Sequence, residues 1–384
     1  MKESYVRLGD VCEVQNGFAF DSKYFSSNEG EGMPLIRIRD ILNGFSKTYY
    51  TSDFQEEFIV HKGDFLIGMD GDFNIGQWKS EDALLNQRVC RLIPSNKILP
   101  KFIYYYIPTA LQEINNKTVY TTVKHLSSKQ VKAILLPNLS ISEQQRVVDI
   151  LDIEFEKIDR LKSNAELNLQ NAKDLFQVAL AKELEPKESW GILELKDACN
   201  KITDGSHNPP KGVNKSDYRM LSSQNIQNGY LDVGKVRYLS EADFRMENTR
   251  TQAKKGDVLL TIVGTIGRTC VLKGDEGNLV FQRSVAVLSP KESVVSEYLM
   301  YTLLSLNTYL NEEANGAAQK GIYLKQLSKI EISVPSIEEQ NQIIAILDNL
   351  NAKCRVLQDN YAKTIALCDD LKQALLRKAF NGEL

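Results

Sequence analysis

Few residues in this chain invite a chemical reading. Asn208-Pro209-Pro210-Lys211 is the most tempting. An Asn-Pro-Pro-aromatic tetrapeptide could hold an exocyclic amine between an Asn side chain and a Pro carbonyl, with the aromatic stacked on the ring. Here Lys211 stands where the aromatic is needed, and no Gly-x-Gly loop after a strand offers a nucleoside-cofactor site upstream. Residues 204–210 therefore read as an ordered turn. Gly264-Thr265-Ile266-Gly267-Arg268 looks like a phosphate loop but lacks the Gly-Lys-Ser/Thr ending that supplies a cation and a magnesium ligand. It reads as a tight strand-to-strand turn that carries Arg268 toward a phosphate. Glu185-Pro186-Lys187 has the local spelling of a metal-dependent nuclease, yet it falls at a helix end beside a linker. His207 has no metal partner near it in sequence, and the chain holds only 3 histidines. Six cysteines fall singly, with no CxxC pair, so neither a zinc site nor a disulfide framework is expected. With no Ser/His/Asp or Cys/His set either, the reading is of a chain without catalytic residues and without a metal.

The elements that would position any functional side chain are written twice. Leu8-Gly9-Asp10-Val11-Cys12 returns as Leu195-Lys196-Asp197-Ala198-Cys199, and Lys62-Gly63-Asp64-Phe65-Leu66 as Lys255-Gly256-Asp257-Val258-Leu259. Gln87-Arg88 returns as Gln282-Arg283. Glu143-Gln144 to Ile150-Leu151-Asp152 returns as Glu339-Gln340 to Ile346-Leu347-Asp348. The order never changes, so one unit of globular segment plus helix has been duplicated. The period is far too long for a short-repeat solenoid or propeller. Each globular part mixes β-like runs (35–38, 65–68, 258–263, 285–288) with helix-like ones (102–107, 297–306) and reads as α+β.

Residues 142–184 and 338–380 read as long helices. Leu151, Ile158, Ala165, Ala172 and Ala179 recur at sevens, with Leu161 and Leu175 expected on the neighbouring seam position. In the second helix Leu347, Cys354, Tyr361, Cys368 and Leu375 recur, joined by Leu350, Leu357 and Leu371. Ser142 and Ser336 are the expected N-caps. Small alanines on one helix opposite larger residues on the other favour an antiparallel intramolecular pair.

At 384 residues, 42% hydrophobic and 25% charged, the composition is that of an ordinary soluble protein of two or three domains. No apolar run approaches the ~18 residues of a membrane span, and residues 1–5 lack a signal-peptide core. Single cysteines fit a reducing, cytoplasmic setting. The net charge of −3 is unevenly spread. Residues 139–189 carry four more acidic than basic groups, whereas residues 190–337 carry two more basic than acidic ones. The globular parts can therefore accept nucleic-acid contact.

The whole layout resembles the specificity subunit of type I restriction-modification systems. The local matches are Gly17-Phe18-Ala19-Phe20, the duplicated Lys-Gly-Asp run, Gly264-Thr265-Ile266-Gly267 and Asn86-Gln87-Arg88. The helix start Glu143-Gln144-Gln145 and the ending 376–384 match as well. In the first half Gly68-Met69-Asp70-Gly71-Asp72 stands where Gly-Thr-Ile-Gly is expected.

The resemblance implies two pseudo-symmetric α/β target-recognition domains, residues 1–138 and 188–336. They are separated by two long helices, 139–187 and 337–384, that form an antiparallel coiled coil. It implies a non-catalytic subunit that reads a bipartite, asymmetric sequence in double-stranded DNA. Partners would be two methyltransferase subunits and the restriction/translocase subunits, with S-adenosylmethionine, ATP and magnesium acting on those partners. Positions that differ between the halves are the expected base readers. In the first half these are Arg37, Arg39, Asn74, Gln77, Lys79 and Lys124. In the second they are Arg219, Ser222, Gln224, Asn225, Arg268, Lys320 and Lys325. Helix positions Leu151, Ile158, Leu161, Leu347, Leu357 and Leu371 are the expected subunit-binding residues. A coiled-coil protein-protein adaptor without DNA contact is the alternative.

Overall fold

A computed structural model describes residues 5–117, 124–274, 276–315 and 321–384. The chain divides into two compact units, Met1–Asn164 with Thr364–Leu384, and Ala165–Lys363.

The first unit is built on two sheets. One is antiparallel, in the order Cys12–Asn16, Val89–Pro94, Phe65–Gly68, Ile75–Gln77. The other is mixed, and in it Met33–Ile36 and Ala83–Leu85 run parallel. The run Phe65–Gly68 is buried throughout, as a strand covered on both faces must be. Helix Pro100–Lys117 packs Phe102, Ile103, Ile107 and Leu111 into the core. A short antiparallel pair, Tyr5–Arg7 with Leu135–Pro137, closes the globular part just before the first long helix.

The second unit repeats this plan. Cys199–Asp204, Val285–Pro290, Val258–Thr261 and Thr269–Val271 form the antiparallel sheet in the same order. Tyr218–Leu221 runs parallel to Asn278–Phe281, and Gly191–Glu194 pairs with Glu331–Val334. Gly264-Thr265-Ile266-Gly267 is the turn between two antiparallel strands, as its sequence suggests. The first-half loop Gly68–Asp72 joins the corresponding strands, with Gly71 at φ +78° and Phe73 at φ +51°. One close approach explains a repeated glycine. A Cβ on Gly17 would sit 2.0 Å from the Asn86 carbonyl oxygen, and one on Gly205 would sit 2.0 Å from that of Phe281.

The long helices span Ile141–Glu183 and Ile337–Phe380. Ser336 Oγ accepts from Glu339 N at 3.2 Å, as expected of a cap. In the first helix the cap is Ser140, not Ser142. Its Oγ accepts from Glu143 N, and the Glu143 carboxylate accepts from Ser140 N at 2.8 Å. This reciprocal arrangement satisfies two end groups at once, which a cap at Ser142 could not do.

Within the first unit the two helix segments run antiparallel. Lys162 Nζ lies 2.7 Å from Asp369, Lys372 pairs with Asp159, and Arg146 reaches the Leu384 carbonyl. Leu151, Ile158, Ala165 and Ala172 are buried, as are Leu347, Cys354 and Cys368, whereas Ala179, Tyr361 and Leu375 of the expected seam are only half-buried. The companion seam departs from expectation: Leu161, Leu175, Leu357 and Leu371 are all exposed. The covered flank lies four residues beyond the buried seam position, at Phe155 and Phe176, where each ring meets a tyrosine of its own globular part, Tyr105 and Tyr301. Packing against the globular part therefore rotates the i+3 leucines outward.

Candidate nucleic-acid interface

In each unit two turns lie side by side at the ends of the parallel strand pair. Ile36 pairs with Leu85, so the turn after Ile36 neighbours the Asn86-Gln87-Arg88 turn. Leu221 pairs with Phe281, which puts the turn after Leu221 beside Gln282-Arg283. Ser223 N donates to Ser284 Oγ at 3.0 Å and ties the second pair of turns together. Carboxyl ends of parallel strands are where α/β sheets gather side chains around a ligand.

The turn after each strand is a short 3-10 helix held by a buried side-chain oxygen. Asp40 Oδ2 accepts from Arg37 N at 2.9 Å, and Asn225 Oδ1 accepts from Ser222 N at 2.9 Å. Asp40 is 7% exposed and Asn225 5%. The Asn225 amide also donates to the carbonyls of Asp232 and Lys235, at 2.9 and 2.8 Å. Asn225, expected as a reader, thus has its amide committed to the interior. Arg37, Arg39 and Gln224 point to solvent. Arg39 touches Thr48 Oγ1 at 3.3 Å and the Asp40 carboxylate at 3.8 Å.

The neighbouring turn carries an exposed arginine in both units. Arg88, at φ +69°, lies 3.7 Å from Asp70, whose carboxylate also bonds His125 Nδ1 at 2.6 Å. Its counterpart Arg283 has no ion pair among the described residues and lines a crevice with Asp204, His207 and Tyr323. There Asp204 bonds His207 Nε2 at 2.8 Å and is clamped by Arg250. Being shared by both halves, Gln87-Arg88 and Gln282-Arg283 are expected to serve the fold or the DNA backbone and not to read bases, and the structure leaves both arginines exposed.

The remaining candidates are scattered. Asn74 lines a crevice with Asp72, Gln112 and Asn115. Lys124 Nζ is held by the Asn115 carbonyl at 2.7 Å, and Gln77 Nε2 by the Gly63 carbonyl at 3.2 Å. Lys79 is exposed. Arg219 is drawn onto the Glu276 carbonyl. Arg268 faces a groove with Lys173, Tyr230 and Arg355, where Arg355 lies over the Tyr230 ring at 5.3 Å. Lys325 is exposed on the helix Leu324–Leu327, and Lys320 lies outside the described residues.

Burial pushes the thiols of Cys12, Cys90, Cys199 and Cys270 up to about 12, so they remain protonated and unreactive at neutral pH. Among the described residues no group of three or more His, Cys, Asp or Glu side chains is placed to hold a metal, and no helix is long and apolar enough to cross a membrane.

This geometry has known counterparts. The model of the type I restriction modification DNA specificity domain matches residues 2–169 and again residues 187–363. The chain is 32% identical over 414 residues to the type I restriction enzyme EcoBI specificity subunit of Escherichia coli, covering 100% of this chain and 86% of the relative. It is 22% identical to the EcoKI specificity subunit of Escherichia coli K12, over 92% of this chain and 82% of the relative. A chain from a solved structure on complex assembly and conformational transition of the type I R-M system superposes with a TM-score of 0.74 at 21% identity, covering 100% and 99% of the two chains. The HsdS subunit from Thermoanaerobacter tengcongensis gives 0.56 at 21% identity, over 99% and 97%. At that identity the two structures speak to the fold.

Proposed function

This chain belongs to the family of type I restriction-modification DNA specificity subunits, and from that premise we propose how it acts. It is the DNA-recognition subunit and carries no catalytic site; catalysis sits in partner modification and restriction subunits. Residues 1–138 read one half of an asymmetric bipartite sequence and residues 188–336 read the other. The helical segments 139–187 and 337–384 hold two methyltransferase subunits, which modify adenine, and the restriction/translocase subunits complete the complex. S-adenosylmethionine, ATP and magnesium serve those partners.

The observation that carries this reading is the duplication itself. Two units that share the order of their antiparallel sheet each present an exposed arginine turn beside a parallel strand pair. Two similar surfaces of different detail suit a target with two unlike halves. The exposed Leu161, Leu357 and Leu371 supply apolar surface on the helices for the modification subunits, while Leu151, Ile158 and Leu347 hold the chain's own interior together. A coiled-coil adaptor without DNA contact has no observation in its favour.

The test is DNA binding by the full chain assembled with its modification subunits, measured against salt. Affinity for one bipartite sequence should exceed that for scrambled duplex, and its logarithm should fall linearly with log salt as counterions are released. Binding that is absent or insensitive to salt would return the adaptor reading.

A further inference from the structure

The two turns after the parallel strands are one structure with two different outer surfaces. Met33–Ile36 corresponds to Tyr218–Leu221, and Ile38–Asp40 to Ser223–Asn225, at a constant offset in numbering. The pin is kept. In both units a buried oxygen three residues on accepts the N–H that opens the turn, at 2.9 Å. The adjoining turn is also kept, as Gln87-Arg88 and Gln282-Arg283. What changes is the rest of the turn: exposed Arg37 and Arg39 in one unit against half-buried Ser222, whose hydroxyl donates to Asn225 Oδ1 at 3.3 Å, and exposed Gln224 in the other.

In a duplicated DNA reader these two kinds of position part company. Phosphates are the same in every sequence, so a group that contacts them can stay fixed. Base edges differ between the half-sites, so the groups that read them must diverge.

We propose that the Arg37–Asp40 and Ser222–Asn225 turns are equivalent base-reading elements, with Arg37 and Arg39 reading guanine in one half-site and Gln224 reading adenine in the other. This rests on the DNA-recognition reading above. Each element works beside a phosphate contact, Arg88 or Arg283. A guanidinium donates two parallel bonds to O6 and N7 of guanine, and a carboxamide both donates to and accepts from N6 and N7 of adenine.

The side chains are free to do this. Arg37 has no ion pair among the described residues, and Arg39 keeps donors beyond its contacts to Thr48 and Asp40. Gln224 is exposed, and it accepts from Gln227 through its backbone carbonyl, which leaves the carboxamide available. Asp40 and Asn225 fix the turn from inside, so the readers are presented on a rigid support.

The experiment uses the full chain assembled with its modification subunits and a random-sequence duplex pool. It compares wild type with Arg37→Gln, Arg39→Gln, Gln224→Arg and Arg283→Ala. All four positions are exposed, and thermal melts confirm that each variant folds.

Gln224→Arg should replace one adenine by guanine in a single half-site and leave the other half-site as it was. Arg37→Gln or Arg39→Gln should relax a guanine in the opposite half-site, with discrimination falling roughly 5- to 150-fold. Arg283→Ala should weaken all sequences alike and reduce the salt slope by about 1. The proposal is overturned if the turn variants keep the wild-type consensus. It is equally overturned if they weaken all duplexes uniformly, since the turns would then be phosphate contacts. A wild-type assembly with no preference among duplexes would instead remove the DNA-recognition reading itself.

Discussion

Gln144 and Gln340 show what the repeated residues do. Gln144 Oε1 accepts from Leu99 N at 2.8 Å, while its Nε2 donates to the carbonyls of Lys97 and Leu139 at 3.2 and 2.9 Å. Gln340 repeats the pattern with Val295 N at 2.8 Å and the carbonyls of Ser293 and Pro335, both at 2.9 Å. Both side chains are buried, at 2% and 0% exposure. Each one satisfies three backbone groups of its own globular part and helix start. Gln340→Ala should therefore destabilise the chain by about 1–3 kcal/mol for each group left unpaired, read as a lowered thermal midpoint. An unchanged midpoint would show that water replaces the amide. Eight residues further on, the pattern continues with Asp152 and Asp348, which accept from the Tyr105 and Tyr301 hydroxyls. Burial, reinforced by the aspartate, pushes each phenol up and keeps it a donor across the ordinary pH range.

The long helices divide their apolar residues between two tasks. Leu151 is fully buried and packs with Leu376 and Ala379, whereas Leu161 is 51% and Leu371 47% exposed. Large exposed leucines on a helix already satisfied along another face mark a surface for a partner. Leu161→Ser with Leu371→Ser should leave the melting of the chain within about 0.5 kcal/mol of wild type and weaken co-purification with the modification subunits. Leu151→Ala should cost about 2–5 kcal/mol of stability by opening a cavity. If the double serine variant assembles as well as wild type, the partners bind elsewhere.

At the scale of the molecule, the two globular parts have separate cores. Leu8, Phe65, Cys90 and Phe102 belong to one, and Leu195, Val258, Tyr298 and Leu299 to another. Replacing residues 1–138 with the matching segment of a relative that recognises a different sequence should change one half-site and leave the other intact. Mapping methylated adenines in cells that carry the chimaera reads this out. A change in both half-sites at once would end the model of independent readers. The replacement should keep Lys97, Leu99 and Tyr105 or their equivalents, because these residues dock the first long helix.

Duplication, helix positions, α+β class and the family resemblance were all legible in the chain. They rest on local spacing and on repeated short strings such as Glu-Gln, Lys-Gly-Asp and Gln-Arg, which survive because each is tied to a backbone requirement. The cap at Ser140 was misplaced by two residues, since either serine suits a helix start and only the reciprocal bond with Glu143 chooses between them. Heptad spacing found most of the buried seam but added Leu161 and Leu175 at its neighbouring position, where both are exposed. Spacing fixes the period of a helix, while its rotation is set by what else packs on it, here Tyr105 and Tyr301. Charge and polarity picked out Arg37, Arg39, Ser222, Gln224 and Asn225 as one undivided group. Only the folded turn separates the buried pin, Asn225 with Asp40, from the outward side chains. It also brings the two turns of each unit side by side, because strands far apart in sequence become neighbours through tertiary pairing alone.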